Sequence, residues 1–257
     1  MHRLLCIILL IACVSLLHAT ISRAEINLAW NNCITESNQA ENIAYACDAS
    51  RNGLPFRCVV SFVSPDQLNA FVGVEATIDV YNSPAYFDHP TPGPLPDYWR
   101  LALGECREGN LLFPASTLGI GSNACRNPWS NANTGGGSVV TSMSNGARLK
   151  LTFARDSGTQ LLTGQQYIGM VLNIDTWGDI NNGNGECAGC CTPMVLSIER
   201  VGLHQTAGTP PQDIYYLDPV GGRPWVTWQS PYAPNPPPCI PVPVKRSTWG
   251  SIKATYH

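Results

Sequence analysis

Cys187-Ala-Gly-Cys190 places two thiols at the spacing of a zinc knuckle or of a thioredoxin-type redox pair. A zinc site needs a second ligand pair, and the sequence holds no other Cys-x-x-Cys and no paired histidines. A redox pair opens a helix after a strand, whereas this one opens an apolar-alternating run through Leu196 and Ile198. The motif therefore reads as a structural disulfide, and no metal or other cofactor is expected. Just before it, Asp175 to Glu186 is rich in oxygen ligands and glycine, as calcium loops are. Counted from Asp179, however, Asn184 stands where an EF-hand has its glycine and Cys190 where it has its glutamate. A polar hairpin loop is the expectation there.

Glu75 and Asp79 share the polar face of one strand candidate, about 13 Å apart at ~3.3 Å rise per residue. Glycosidase carboxylates stand about 5 to 9.5 Å apart, so a partner from another strand would be needed. Beyond residue 24 the histidines are His89, His204 and His257, and neither a Gly-x-Ser-x-Gly elbow nor a triad order is present. Among Trp99, Trp129, Trp177, Trp225 and Trp228, the candidate ligand-binding residues are Trp129 and Trp177, set among Asn, Ser and Gly, together with Trp99. Aromatic faces of this kind stack on sugar rings.

The elements that would position these groups are strands. The chain is organised around Gln165 to Leu203, in which Ile168, Met170, Leu172 and Ile174 alternate before the cysteines and Leu196 and Ile198 after them. Phe71 to Val80 places Val72, Val74, Ala76, Ile78 and Val80 on one face and Phe71, Gly73, Glu75, Thr77 and Asp79 on the other. After the hairpin signal Asn145-Gly146, Ala147, Leu149, Leu151 and Phe153 alternate with Arg148, Lys150 and Thr152. Ile26 to Trp30 reads as an edge strand, Tyr98 to Leu103 as another strand, Gly135-Gly136-Gly137 as a flexible turn, and Cys33 to Cys47 as a polar segment with room for a short helix. The architecture expected is an all-β antiparallel sandwich, jelly-roll or immunoglobulin-like, in which each sheet has one wet side.

Residues 1–24 have a short basic start, an apolar run from Leu4 to Ala19 and small residues at Ser22 and Ala24, the pattern of a signal peptide cleaved before Glu25. The run is too short for a transmembrane helix, and the rest of the chain has no comparable one. The expected organisation is a β-sandwich over 25–230, a Pro-rich strap over 231–244 and a short basic tail over 245–257. Cleavage removes Arg3 and Arg23 and no acid, so 13 basic side chains face 18 acidic ones, a formal charge of −5. Without a basic stripe, nucleic acid is excluded as a partner. Eleven cysteines become nine after cleavage, an odd number that reads as a disulfide framework with at least one thiol free or paired with another chain. Pairing nearest neighbours outside the strands gives Cys33 with Cys47, Cys106 with Cys125, and Cys187 with Cys190, leaving Cys58, Cys191 and Cys239 unassigned.

Several short blocks, among them Asn27-Leu-Ala-Trp-Asn31, Leu95-Pro-Asp-Tyr-Trp99, Cys187-Ala-Gly-Cys190 and Thr248-Trp-Gly-Ser-Ile-Lys253, resemble a group of secreted β-sandwich proteins of environmental Gram-negative bacteria. That group has no assigned activity, so the resemblance implies export and fold and carries no site residues. The function expected is that of an exported, non-enzymatic surface, adhesive or ligand-binding module, found outside the cell, at its surface or in the periplasm. A glycan or other cell-surface component is the expected partner, and the alternative is a secreted carbohydrate-active enzyme using carboxylates on the wet face. The sequence does not set the oligomeric state.

Overall fold

The computed structural model of the chain describes residues 25–45, 47, 55–82, 94–112, 120–121, 124–174, 187–210, 214–217 and 221–230. The segment 1–24 expected as a signal peptide, the Asp/Asn-rich loop with Trp177, Cys239, and the segments expected as a Pro-rich strap and a basic tail lie outside the described residues. In chain order the strands are β1 (Glu25–Trp30), β2 (Asn42–Ile43), β3 (Phe56–Val63), β4 (Leu68–Asn82), β5 (Leu111–Leu112) and β6 (Cys125–Arg126). They continue with β7 (Thr134–Met143), β8 (Gly146–Leu161), β9 (Gln166–Ile174), β10 (Met194–Gln205), β11 (Ile214–Leu217) and β12 (Trp225–Trp228). One sheet runs β1-β3-β9-β5 with β6 also on β9, and the other runs β2-β12-β10-β4-β8-β7 with β11 also on β10. Their packed faces make a disulfide-stapled β-sandwich. Pairing is antiparallel except for β2 with β12 and β6 with β9.

Alternation builds the larger sheet. Ala147, Leu149, Leu151 and Phe153 of β8 are buried, as are Val74, Ala76, Ile78 and Val80 of β4, and the residues between them face away from the core. Burying each large apolar side chain contributes about 1.5–3 kcal/mol. The alternation breaks at the start of β4. Register shifts against β8 on either side of Phe71 turn that ring into the core and leave Val72 half-buried, the reverse of the sequence expectation.

The smaller sheet departs from the expectation of one wet side. β3 and β9 are buried on both faces, and the loop after β1 lies over the outer one, where Thr35 Oγ1 donates to Gln166 Oε1 at 2.6 Å and Gln166 Nε2 to Ser61 Oγ at 3.0 Å. That loop, placed in the Cys33–Cys47 segment where a helix had room, is a series of turns followed by β2. Tyr98 to Leu103 is not a strand either. Asp97–Trp99 is a turn of 3-10 helix, for which Pro96 sets the entry, and turns follow it. Gly135 to Gly137 lies within β7 instead of in a turn, because β8 supplies a complete ladder for it. The β7–β8 hairpin expected from Asn145-Gly146 forms with Ser144-Asn145 as its two-residue loop, closed by Met143 and Gly146.

All six cysteines expected to be bridged are bridged, but with other partners. Cys33 joins Cys125, Cys47 joins Cys190, and Cys106 joins Cys187, with Cα–Cα distances of 6.3, 6.0 and 5.7 Å. The nearest-neighbour pairing fails because the sheets, not the chain, decide which loops meet. Cys187 and Cys190 do not bridge each other but each clamp a distant segment. Between them Gly189 has φ 100° and its missing Cβ would stand 2.4 Å from Pro96 Cβ, a position that only glycine can fill. The motif is held by Ala188, whose carbonyl accepts from the Tyr98 N–H at 2.9 Å, and by Cys190, whose carbonyl accepts from Trp228 Nε1 at 2.8 Å. Cys191 is disulfide-bonded as well.

Cys58 is a free, fully buried thiol on β3. Burial pushes its pKa far up, opposed by the Arg223 guanidinium. Because the folded pKa is raised, its stabilising contribution is intact below the unfolded value of about 8.5 and is lost as pH rises past it, at no more than about 1.4 kcal/mol per pH unit. Iodoacetamide is expected to leave Cys58 unmodified in the native protein at pH 8 and to modify it after unfolding, as read by peptide mass. Cys58→Ala should flatten the alkaline fall in stability, and rapid native labelling would contradict this account.

Candidate functional site

The outer face of the larger sheet is the one extended polar surface that the described strands build. Core residues alternate with it, so β4, β8, β10 and β12 each contribute every second side chain. Across five strands the register aligns Trp225, Ser197, Asp79, Arg148 and Thr141 in one row. Four interstrand gaps of about 4.8 Å make that row about 19 Å long. The parallel rows are Arg200, Thr77, Lys150 and Val139, then Gly202, Glu75, Thr152 and Gly137.

Two charge pairs lie on this face. Arg148 holds Asp79 with both prongs, Nε to Oδ1 at 2.7 Å and Nη2 to Oδ2 at 2.6 Å. The Asp79 hydrogen bonds first, its charge next and the charge of Glu199 last hold Arg148 more firmly protonated, against a small opposing effect of burial. His204 Nε2 lies 3.4 Å from Glu75 Oε2. The two carboxylates singled out in the sequence thus point to different partners and do not converge on a common point. Both oxygens of Asp79 accept from the Arg148 guanidinium. Among the described residues no cluster of His, Cys, Asp and Glu has the grouping of a metal site.

Of the three tryptophans named as ligand-binding, the structure places two in the core. Trp99 is 1% exposed and packs edge-on against Trp228 with centroids 5.2 Å apart. Trp129 is 5% exposed, packs against Phe71 and Phe153 at 5.3 and 4.7 Å, and donates Nε1–H to the Ile168 carbonyl at 3.0 Å. Neither ring has a face for a sugar: the core accepts the N–H of Trp129, and the Trp99 N–H is buried with no hydrogen-bond partner among the described residues. Trp177 lies outside the described residues. The tryptophan on the polar face is Trp225, half-buried at one end of the Asp79–Arg148 row. Its signal was in the sequence: in Trp225-Val-Thr-Trp228 the core residues are Val226 and Trp228, which turns Trp225 to the opposite face.

Elsewhere the buried polar groups tie segments together. The Arg107 guanidinium stacks 3.9 Å over the Tyr98 ring and donates to the Tyr98 carbonyl, beside the Cys106–Cys187 bridge. Arg223 donates to Gln39 Oε1 at 2.6 Å and to the Leu28 carbonyl at 3.3 Å, fastening the segment before β12 to β1. The disulfides, three of them between described cysteines, are compatible with folding in an oxidising compartment, and among the described residues no helix is long and apolar enough to cross a membrane. Neither a scan of protein-family models nor searches of curated proteins and of solved structures find a match to the chain.

Proposed function

We propose that the protein is an exported, non-enzymatic surface module that uses the outer face of its larger sheet to bind a polar cell-surface component, with glycans as the first class to test. The observation that carries this reading is the aligned row Trp225–Ser197–Asp79–Arg148–Thr141. An aromatic side chain, hydroxyls and a fixed carboxylate–guanidinium pair offer stacking and both kinds of hydrogen bond along one line, the composition of polyol-binding surfaces. The resemblance to secreted β-sandwich proteins supports export. The alternative, a carbohydrate-active enzyme, has weaker support because Asp79 is committed to Arg148.

A glycan array probed with the disulfide-intact protein tests the reading. Binding is expected for a subset of glycans, with a loss of tenfold or more in Arg148→Ala and in Trp225→Ala. Arg148→Ala should cost only about 0.2–1 kcal/mol in stability, as cross-strand pairs on exposed faces do, so lost binding would not be lost folding. Binding that survives both substitutions would remove this face from the account.

A further inference from the structure

We infer that the free edge of β7 is a self-association surface, on which a second copy of this chain adds its own β7 antiparallel about a two-fold axis perpendicular to the sheet. This inference is independent of the ligand proposed above.

Among the described strands the other long edge of the sandwich is covered, whereas β7 meets no further strand and is touched near its end by Glu105, whose Oε1 accepts from Ser142 Oγ at 2.6 Å. The β1 edge receives hydrogen bonds from outside its sheet: the Ile26 and Leu28 N–H groups donate to the carbonyls of Gly221 and Arg223, and the Trp30 N–H to that of Ala40. The far ends of the sheets are the two-residue strands β2 and β5. β7 is ten residues long, pairs with β8 without a register shift, and has no described strand on its other side. Beyond Thr134, alternate residues along it therefore aim their N–H and C=O groups away from every described strand. Edge strands are ordinarily blunted by charge, proline or a bulge. Thr134-Gly-Gly-Gly-Ser-Val-Val-Thr-Ser-Met143 has none of these.

Two observations select a second copy as the occupant. The strand is uncharged throughout, so self-pairing sets no like charges opposite each other, even in a chain with excess acid. The second observation concerns its glycines. A Cβ on Gly136 would meet Phe153 and the Thr152 carbonyl at 2.7 Å, which explains that glycine within one chain. A Cβ on Gly135 or Gly137 would meet nothing within 4 Å, so the single chain gives no reason for two residues that weaken a strand. Self-pairing centred on Val139 gives one. It sets Gly137 against Thr141 and Gly135 against Met143 of the second copy, small against large. It also lays the two Val139 side chains against each other, and Val139 is 62% exposed and Met143 39% exposed in the single chain. All five residues lie on the outer face, opposite Lys150 and its neighbours of the same parity on β8. The resulting sheet is continuous, with both Asp79–Arg148 rows on one side, an arrangement that gains avidity for a multivalent surface.

Sedimentation equilibrium of the exported, disulfide-intact protein from about 10 µM to about 1 mM tests this, a range that reaches weak single-strand interfaces. The weight-average mass is expected to rise from monomer towards dimer. Val139→Lys, which sets two cations at the axis, should weaken association tenfold or more with the Tm unchanged. Gly137→Thr should weaken it similarly while leaving the Tm of the dilute protein unchanged or higher. Val139→Cys should form a covalent dimer on mild oxidation, whereas Leu162→Cys, 39% exposed just after the far end of β8, should not. A protein that stays monomeric throughout, including one that takes an extended peptide of another protein at this edge, overturns the inference. So does a dimer indifferent to Val139→Lys and Gly137→Thr.

Discussion

Trp228→Ala is expected to destabilise the protein by about 3–5 kcal/mol, the largest effect expected of any single truncation in this core. Trp228 is fully buried where the two sheets and the cysteine junction meet. Its ring lies 4.8 Å from Phe56, 5.0 Å from Tyr45, 5.2 Å from Trp99, 5.5 Å from Tyr98 and 6.0 Å from Trp30. Its N–H satisfies the Cys190 carbonyl, so truncation both empties a volume and orphans a buried acceptor. Trp228→Phe keeps a ring in the cluster and should cost less, about 1–3 kcal/mol, mainly through the lost hydrogen bond. Equilibrium unfolding in guanidinium gives both values. A cost below about 1 kcal/mol for Trp228→Ala would mean that this cluster does not pack as described.

The second large effect is expected from removing the Cys47–Cys190 bridge with the double substitution Cys47→Ala, Cys190→Ala. The bridge spans 143 residues, and releasing a loop of that size from the unfolded chain costs about 3–5 kcal/mol in folded stability, with the other bridges shortening the effective loop. At roughly 2–4 °C per kcal/mol for a chain of this length, the Tm should fall by about 10 °C. The double substitution is the cleaner test, because Cys47→Ala alone would leave a thiol at position 190 between bridged Cys187 and bridged Cys191. Either form removes the Cys47 sulfur that Gln229 Nε2 approaches at 3.0 Å, and the double substitution also removes the Cys190 Sγ that lies 3.0 Å from the Tyr45 hydroxyl. A Tm unchanged by the double substitution would contradict this pairing.

The parts of the fold legible in the sequence are those that one strand decides by itself. Ala147 to Phe153 alternates strictly, and the alternation places each of its side chains correctly because a half-buried strand has only two faces. Asn145-Gly146 locates a hairpin for the same local reason. Alternation does not say which sheet a strand joins. β9 and β10 read as two core strands joined by a hairpin loop, yet they belong to different sheets, so the chain changes sheet between them. The cysteine pairing depends on that change of sheet. Cys187 and Cys190 meet Cys106 and Cys47 only because it brings their segment against the 3-10 turn at Tyr98 and against Tyr45. The bulge that turns Phe71 inward and the ladder that holds three glycines in β7 also come from a neighbour, in both cases β8. At the candidate site, composition suggests that tryptophans among Asn, Ser and Gly are exposed. Trp129 shows the limit of that inference, since a polar loop can carry its one large ring into the core.

The measurement that tests the account most directly is unreduced peptide mapping by mass spectrometry of the protein recovered from outside the cells that make it. The account predicts a first residue of Glu25, cross-linked peptides joining Cys33 to Cys125, Cys47 to Cys190 and Cys106 to Cys187, and Cys58 as a thiol. Protein retained inside the cell with its leader intact, or peptides carrying these six cysteines as thiols or in other pairs, would contradict it.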